Sequence, residues 1–285
     1  MKKIVIVAES GSDITPELAK QYEIEIVPMH VTFESESLDD GSFEVDKIVQ
    51  YYKETGKLPK TSGSTPDDFM RVFDRIHKDY PQAHILYLAY SAITTVSYQS
   101  AVIASESRDY ITLIDTKQVS IGQGIIVCKV AEYVKHNPDI SIEELVDYTK
   151  DLINKAKMCF MPDDLEFLKA GGRVSNVAFL GSRILSLHPV IEIIDGKLVA
   201  TKKYRGKMTK VVEEMMNDFI RNYHLEKEDM WIVSVIGTSD VVKQAMERVA
   251  KNSGFKNIQW IQAGGVITTH GGPAAIGLAG FSKVL

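Results

Sequence analysis

The sequence predicts an α/β protein of two domains, an N-terminal domain with a parallel sheet and a C-terminal domain with a mixed sheet. Short apolar runs alternate with amphipathic helical segments in the first half, which is typical of a parallel sheet covered by helices. In the second half, Asp195-Gly196 separates two apolar runs, and this hairpin signal breaks the alternation. A length of 285 residues suits two domains, and we place the boundary near residue 157, giving domains 1–157 and 158–285.

The strands of the first domain are predicted from short apolar runs bounded by polar or turn residues. The first run follows Met1-Lys2-Lys3 and superficially resembles a signal peptide, but it is short and Glu9 interrupts it. We therefore interpret it as a buried strand and expect a cytoplasmic protein. The predicted strands are residues 4–8, 24–31, 84–89 and 111–114.

The helices of the first domain are predicted from their starts. Thr15 and Thr65 each precede a proline, and a capping hydroxyl followed by proline favours a helix start. Ser141 and Glu144 have the spacing of a capping box, and Ser97 is interpreted as the cap of a shorter helix. The predicted helices begin near residues 16, 45, 66, 98, 119 and 142.

The second domain begins with a short predicted strand at residues 158–161 and a helix that ends at Ala170. Gly171-Gly172 follows, and a positive φ is expected there because such glycines close helices. The hairpin is predicted from residues 190–194 and 198–203. A helix over 208–223, a strand over 231–236 and a helix over 241–253 complete the prediction.

Composition and missing motifs exclude several function classes. The net charge is -5, so nothing suggests a nucleic-acid partner bound through bulk charge. Cys128 and Cys159 lie outside any CxxC pattern, which fits a reducing cytoplasm. No apolar run approaches the ~20 residues that span a membrane. The sequence has no GxxxxGK[ST], GxGxxG, GxSxG or HExxH motif, and its seven histidines are scattered, so we expect neither a metal nor a cofactor.

Hydroxyl side chains lie in the segments between predicted strands and helices. Thr61 and Ser62 precede a helix, and Ser91 follows the predicted strand 84–89. Ligands of open parallel sheets bind beyond the carboxyl ends of the strands, where hydroxyls can hold an anion without a formal positive charge. The spacing leaves open whether these three hydroxyls bind a ligand or cap helices.

Seven short segments occur in the same order as in one known family. They are Glu9-Ser10-Gly11-Ser12-Asp13; Thr61-Ser62; Ser91 and Ser97-Tyr98-Gln99-Ser100-Ala101; Asp115-Thr116 with Ser120-Ile121-Gly122-Gln123-Gly124; Leu168-Lys169-Ala170-Gly171-Gly172-Arg173-Val174-Ser175; His188-Pro189-Val190-Ile191 with Asp195-Gly196-Lys197-Leu198 and Arg205-Gly206; and Thr269-His270-Gly271-Gly272-Pro273. Each segment alone is a weak signal, but together they cover nearly the whole chain. In this the sequence resembles the DegV family of fatty-acid-binding proteins, which includes the binding subunits of bacterial fatty acid kinase.

The resemblance implies that two α/β domains enclose one long-chain fatty acid. The acyl chain would lie in an apolar tunnel, and the carboxylate would meet a polar pocket between the domains. Thr61, Ser62 and Ser91 would bond the carboxylate, and His270 and Arg173 would complete the polar network.

The resemblance also implies a partner. An ATP-dependent fatty acid kinase would phosphorylate the bound acid to an acyl phosphate, which this protein would then carry. Arg205 would help to dock the kinase. The protein would thus be a carrier without catalytic residues, with transient contact to a membrane surface and no nucleic-acid partner.

The sequence departs from the family pattern in three places. The family's Ser-Ser-x-Leu-Ser-Gly-Thr is here Ser91-Ala92-Ile93-Thr94-Thr95-Val96-Ser97. Glu9 stands where the family prefers Asp, and Gly63-Ser64 replaces Gln-Pro. We therefore expect anchoring in the first of these segments to rest on Ser91 alone, with a pocket of altered shape.

Several alternatives remain open from the residues alone. A hydrolase or acyl transferase could use Ser91 with His270, although no acidic residue can be named to orient the imidazole. His270 could equally be a structural histidine, and Arg173 could form a salt bridge between the domains. Arg205 lies among Lys202, Lys203, Lys207 and Lys210, which is also the pattern of a solvated basic patch.

Overall fold

The computed structural model describes residues 4–174 and 187–283, and within them the strands form three sheets. The first is a four-stranded parallel sheet of order β2-β1-β6-β7, and the second is a mixed six-stranded sheet of order β10-β9-β8-β13-β11-β12. A three-stranded antiparallel sheet has the order β4-β3-β5. The strands are β1 (Ile4–Glu9), β2 (Glu25–Val27), β3 (His30–Phe33), β4 (Glu36–Asp39), β5 (Lys60–Ser62), β6 (His84–Ala89), β7 (Ile111–Asp115), β8 (Ala156–Met161), β9 (Leu187–Ile194), β10 (Lys197–Arg205), β11 (Asp229–Ser234), β12 (Asn257–Gln262) and β13 (Ile276–Phe281).

Ten α-helices accompany the strands in the described part of the chain. They are α1 (Pro16–Tyr22), α2 (Asp46–Thr55), α3 (Pro66–Asp79), α4 (Ser97–Ala104), α5 (Ser120–His136), α6 (Ile142–Lys155), α7 (Leu165–Gly171), α8 (Met208–Asn222), α9 (Asp240–Asn252) and α10 (Gly265–Gly271). The predicted fold class, two α/β domains with a parallel and a mixed sheet, is confirmed. The predicted boundary near residue 157 coincides with the start of β8 and stays a prediction.

The long helix α5 connects the two larger sheets. It contacts β1 and β6 of the parallel sheet and β8, β11 and β13 of the mixed sheet. Its first nine residues, 120–128, are all buried, as expected for a helix that is covered on all sides. Gly124 permits this packing, because an added Cβ would lie 2.6 Å from the Ser12 carbonyl oxygen. The largest hydrophobic core therefore draws side chains from both halves of the chain.

The predicted helix starts are confirmed at three positions. The hydroxyls of Thr15, Thr65 and Ser141 accept hydrogen bonds from the backbone of their helices. The prediction for Ser97 was wrong, because α4 has no capping side chain and the Ser97 hydroxyl accepts from the Ser64 N–H instead.

Two further predictions in the first half were wrong. Residues 24–31 do not form one strand but supply β2 to the parallel sheet and β3 to the three-stranded sheet. Pro28 separates them and cannot donate a backbone hydrogen bond to a sheet. Thr61 and Ser62, predicted in a loop, lie in β5, where Thr61 pairs with Val31.

The predicted signals of the second half are confirmed more closely. Asp195-Gly196 joins β9 to β10 in an antiparallel hairpin, and Asp195 and Gly196 both have positive φ. Gly172 follows α7 with a φ of 64°, as expected for the glycine that ends a helix. Ser175, the last residue of the segment that begins at Leu168, lies outside the described residues.

Candidate functional site

A cavity lies where side chains from both halves of the chain meet. It contains about 880 Å³ of empty space, counting the part that is open to solvent. The first half contributes residues of β5, the loop after β6 and the start of α5, and the second half contributes strands of the mixed sheet and α10.

Most of the cavity wall is apolar. Met158 and Phe160 alternate with other residues along β8, so both point to the same face of the sheet. Val233 and Val235 do the same at the end of β11. The side chains lining this part are Met29, Val119, Met158, Phe160, Leu168, Leu198, Val233, Val235, Val266, Ile267, Ala275 and Ile276.

A polar cluster interrupts this wall on the side of the three-stranded sheet. Thr61 on β5 and His270 on α10 both line the cavity, and the Thr61 Oγ1 lies 2.7 Å from the His270 Nε2. Ser62 is exposed and lines the cavity beside them. The structure thus joins two of the predicted residues, which are 209 positions apart in sequence, through one hydrogen bond.

His270 is held as a neutral imidazole. Burial, together with the nearby charge of Arg173, lowers the pKa of His270 from 6.5 to about 4. A neutral imidazole has one donor and one acceptor nitrogen. The Nδ1 is buried without a partner in the described part of the chain, and a Cβ on Gly171 would lie only 2.3 Å from it.

This environment favours one tautomer of His270. An orphaned buried N–H is rarer in proteins than an acceptor that lacks a partner, so the proton belongs on Nε2 and the lone pair on Nδ1. Nε2 then donates to the Thr61 oxygen, which leaves the Thr61 hydroxyl proton free. Thr61 can therefore donate a hydrogen bond to an acceptor in the cavity.

Arg173 brings the only guanidinium to the described cavity lining. Its side chain is exposed, and Nη1 donates to the Gly171 carbonyl oxygen at 2.5 Å. The positive charge of Arg173 is close enough to His270 to lower the pKa of the imidazole. Arg173 thus adds a positive charge near the polar cluster while remaining accessible from outside.

The loop between β6 and α4 supplies further hydroxyls. Thr94 and Thr95 line the cavity, but the Thr94 hydroxyl donates to the Ser91 carbonyl oxygen at 2.9 Å. The Thr95 Oγ1 lies 3.1 Å from the Ser97 Oγ, which in turn accepts from the Ser64 N–H at 3.0 Å. If Ser97 donates to Thr95, the Thr95 proton faces the cavity as a donor.

Gly63 allows this loop to approach β5. A Cβ on Gly63 would lie 2.5 Å from the Thr95 Oγ1 and 2.6 Å from the Ser97 Oγ. Gly63, which departs from the family pattern, therefore leaves room for the side chains of Thr95 and Ser97.

Ser91 has a different environment from the one predicted. It is fully buried, and its hydroxyl donates to the Gly196 carbonyl oxygen at 2.7 Å. It fixes the loop to the β9–β10 hairpin and does not itself line the cavity. Its assignment as a carboxylate ligand stays a prediction. The structure gives Ser91 and His270 separate partners, Gly196 and Thr61, and so does not join them as a nucleophile and its base.

Arg205 is exposed at the end of β10, which is an edge strand of the mixed sheet. Leu198 lines the cavity from the same strand, and seven residues of strand span roughly 20 Å. Arg205 therefore lies roughly 20 Å along the strand from Leu198 and does not line the cavity, and its docking role stays a prediction.

A buried carboxylate near the site was not predicted from the sequence. Glu9 accepts from the Tyr90 N–H at 3.0 Å and from the Gln123 side chain at 2.8 Å, and it also accepts from the Tyr87 hydroxyl. Burial raises the pKa of Glu9. These bonds hold the first residue of the loop that carries Thr95, so Glu9 supports the site from the core.

Residues 4–174 and 187–283 contain neither a cluster of metal ligands nor a membrane-spanning helix. No group of three or more His, Cys, Asp or Glu side chains in these ranges is arranged to hold a metal ion. No helix there is both long and apolar enough to cross a membrane.

Comparisons with known proteins agree on one family. A family model described as an uncharacterised protein of the DegV family matches residues 3–283. The DegV domain-containing protein TTE1491 of Caldanaerobacter subterraneus subsp. tengcongensis is 32% identical over 287 residues, covering 98% of both chains. A fatty-acid-binding DegV family protein from Thermus thermophilus has a similar structure, with a TM-score of 0.87, 28% identity, and coverage of 98% of this chain and 99% of that one. The DegV lipid-binding protein TM1468 of Thermotoga maritima has the same fold, with a TM-score of 0.82, 24% identity and 98% of each chain covered.

Proposed function

The chain belongs to the DegV family, and we propose that it binds one long-chain fatty acid in the cavity between its two halves. The observation that carries the proposal is a mostly apolar cavity whose wall is interrupted by the Thr61–His270 pair and Arg173. This division matches a ligand with a long hydrocarbon chain and one anionic end. The Thermus thermophilus protein of similar structure, described as binding fatty acid, adds support.

The apolar wall would supply most of the affinity. Transfer of a methylene group from water to an apolar site is worth ~0.8 kcal/mol. A chain of sixteen carbons could therefore contribute on the order of 10 kcal/mol before the costs of ordering are subtracted. The polar cluster has another task, which is to fix the carboxylate in one place.

We assign the carboxylate to the donors of the polar cluster. Thr61 would donate directly, with its oxygen held by His270, and Thr95 would donate from the opposing loop. Ser62 and Arg173 would complete the site at its accessible side. In this proposal Ser91 holds the loop in place, and Thr95 supplies the hydroxyl that the sequence-based hypothesis assigned to Ser91.

We further propose that the chain is a carrier and not itself an enzyme. An ATP-dependent fatty acid kinase would transfer a phosphoryl group to the bound carboxylate, and the protein would then carry the acyl phosphate. Arg205 would contribute to docking an acidic surface of the kinase, since it is exposed and forms no ion pair within the described ranges. An Arg205→Glu variant would bind fatty acid normally and be phosphorylated slowly. A normal rate of phosphorylation would remove Arg205 from the docking surface.

The proposed location is the cytoplasm, with transient contact to a membrane surface. Cys128 and Cys159 are free, buried thiols, which suits a reducing compartment. The loop that places Thr95 in the cavity also exposes Ile93 and Val96, whose exposed fractions are 57% and 67%. Such side chains could touch lipid while an acyl chain enters.

Titration of delipidated protein with hexadecanoic acid tests the proposal. Saturation at one acid per chain is expected, with weaker binding of octanoic acid because eight fewer methylenes are buried. The absence of saturable binding would refute the fatty-acid proposal.

A further inference from the structure

Two buried carboxylates hold the amino end of α10. The Asp13 Oδ1 accepts from the Gly264 N–H at 2.8 Å, and the Asp40 Oδ1 accepts from the N–H groups of Gly265 and Val266 at 2.7 and 3.3 Å. These N–H groups belong to the first turn of the helix, which has no internal acceptors for them. Both acids come from the first half of the chain, and the helix comes from the second half.

The glycines allow this close approach. A Cβ on Gly265 would lie 2.9 Å from the Asp40 Oδ1 and 2.7 Å from the Phe43 ring. A Cβ on Gly264 would lie 3.3 Å from the Asp13 Oδ1. Direct bonding between the Asp40 carboxylate and the backbone therefore depends on the missing side chain at Gly265, and Gly264 leaves room for Asp13.

Both aspartates are also hydrogen-bonded to residues that line the cavity, Asp13 through its carboxylate and Asp40 through its backbone N–H. The Asp13 Oδ2 accepts from the Ser120 hydroxyl, and Ser120 lines the cavity with a φ of 46°. The Asp40 N–H donates to the carbonyl oxygen of Met29, another lining residue, at 2.8 Å. The helix they hold carries His270. The two acids thus connect the imidazole to the opposite wall of the cavity.

This arrangement is costly in free energy. Burial raises the pKa of Asp13 to about 7 and also raises the pKa of Asp40, and the Asp40 charge adds to the shift of Asp13. Within residues 4–174 and 187–283, neither acid forms an ion pair with a basic side chain. Burying carboxylates without a basic partner costs free energy, and the hydrogen bonds from the amino end of α10 offset part of that cost.

We infer that Asp13 and Asp40 are positioning residues, which fix α10 so that His270 orients Thr61 toward the ligand's carboxylate. This inference rests on the proposed fatty-acid function. The acids act through the helix and do not touch the ligand themselves.

The experiment compares Asp40→Ala and Asp40→Asn with the unaltered protein, using hexadecanoic acid and hexadecan-1-ol as probes. The two ligands share the chain and differ in the head group. The Ala variant removes the acceptor, and the Asn variant keeps an oxygen for the two N–H groups. We expect Asp40→Ala to weaken binding of the acid about tenfold, as for loss of a hydrogen bond to a charged group. Binding of the alcohol should change less than twofold, and Asp40→Asn should restore most of the affinity for the acid.

The imidazole itself provides a second readout. In Asp40→Ala, the pKa of His270 measured by NMR should rise from about 4 toward 6.5, because the ring would leave its buried position. Equal weakening of both ligands, with an unchanged His270 titration, would overturn the positioning role and leave only a structural one. If the unaltered protein binds neither ligand, the proposed function itself fails, and that result is distinct from either outcome for the variants.

Discussion

The apolar wall and the polar cluster of the cavity are built in different ways. Strands β8, β11 and β13 supply part of the apolar wall, and there strand alternation directs the side chains into the cavity, while β10, two helices and loops supply the rest. The polar cluster comes from β5, a loop and a short helix, and hydrogen bonds between side chains hold it together. We infer that the two regions do separate work, the wall setting affinity and the cluster setting head-group choice.

A larger side chain in the apolar wall should have the largest effect on affinity, because it reduces the space for the acyl chain. Val235→Trp would occupy the space of roughly three to four methylenes, which are worth ~0.8 kcal/mol each, so affinity for hexadecanoic acid should fall about 100-fold. Val241→Trp is the matched control, because Val241 is 60% exposed on α9. Isothermal titration should show similar losses for the acid and the alcohol in Val235→Trp. A loss confined to the acid would contradict the division of work.

Removing the imidazole should have a smaller and selective effect. His270→Ala frees the Thr61 oxygen, so the affinity for hexadecanoic acid should fall about tenfold while that for hexadecan-1-ol stays within about twofold. His270→Gln can still donate to Thr61 from its amide and should retain most of the preference. Equal losses for both ligands in His270→Ala would show that the cluster does not select the head group.

The two hydroxyl loops can be separated by a pair of variants. Thr95→Val should weaken binding of the acid about tenfold, the lower end of the range for a hydrogen bond to a charged group. Ser91→Ala should leave the preference for acid over alcohol unchanged and lower the free energy of unfolding by about 1 kcal/mol, because it loses the bond to Gly196. If Ser91→Ala instead weakened binding of the acid and Thr95→Val did not, Ser91 and not Thr95 would be the carboxylate ligand.

The remaining effect concerns the pH dependence of stability and not ligand affinity. The folded pKa of His270 is about 4 and its ordinary value is 6.5, so the stability due to this group is present above pH 6.5 and is lost as the pH falls to 4. Between these values His270→Gln should lose less free energy of unfolding than the unaltered protein, by about 1.4 kcal/mol at pH 5.5 and about 3 kcal/mol at pH 4. Denaturant unfolding at pH 7, 5.5 and 4 measures this.

Asp13 also makes the free energy of unfolding depend on pH, in the direction opposite to that of His270. Its raised pKa of about 7 favours folding at low pH, and this contribution is lost as the pH rises from 3.8 through 7. Because Asp13 is present in both proteins, it cancels in the comparison. A constant difference between the two proteins across the pH range would mean that His270 is not held neutral by burial.

Local elements of the fold were predicted from the sequence more fully than the contacts that build the polar cluster. The fold class, the hairpin at Asp195-Gly196 and three capped helix starts were predicted, because propensity and spacing act over a few residues. The family resemblance placed Thr61 and His270 in one polar network, but their hydrogen bond was not predicted, since the two lie 209 positions apart and no local pattern joins them.

Other features could not be read from the sequence for physical reasons. The division of residues 24–31 between two sheets depends on tertiary pairing on both sides of Pro28. Ser91 donates to the Gly196 carbonyl oxygen, and Asp40 accepts from the amino end of α10. Both hydrogen bonds join segments that are distant in sequence. A clue to the latter was present in Gly264-Gly265, because consecutive glycines indicate a close approach by another group.

Mass spectrometry of an organic extract from freshly purified protein tests the central claim most directly. The account predicts one dominant long-chain fatty acid at close to one molecule per chain, and a lower amount per chain in the Val235→Trp variant. An extract without acyl chains, followed by no uptake of added fatty acid, would contradict it.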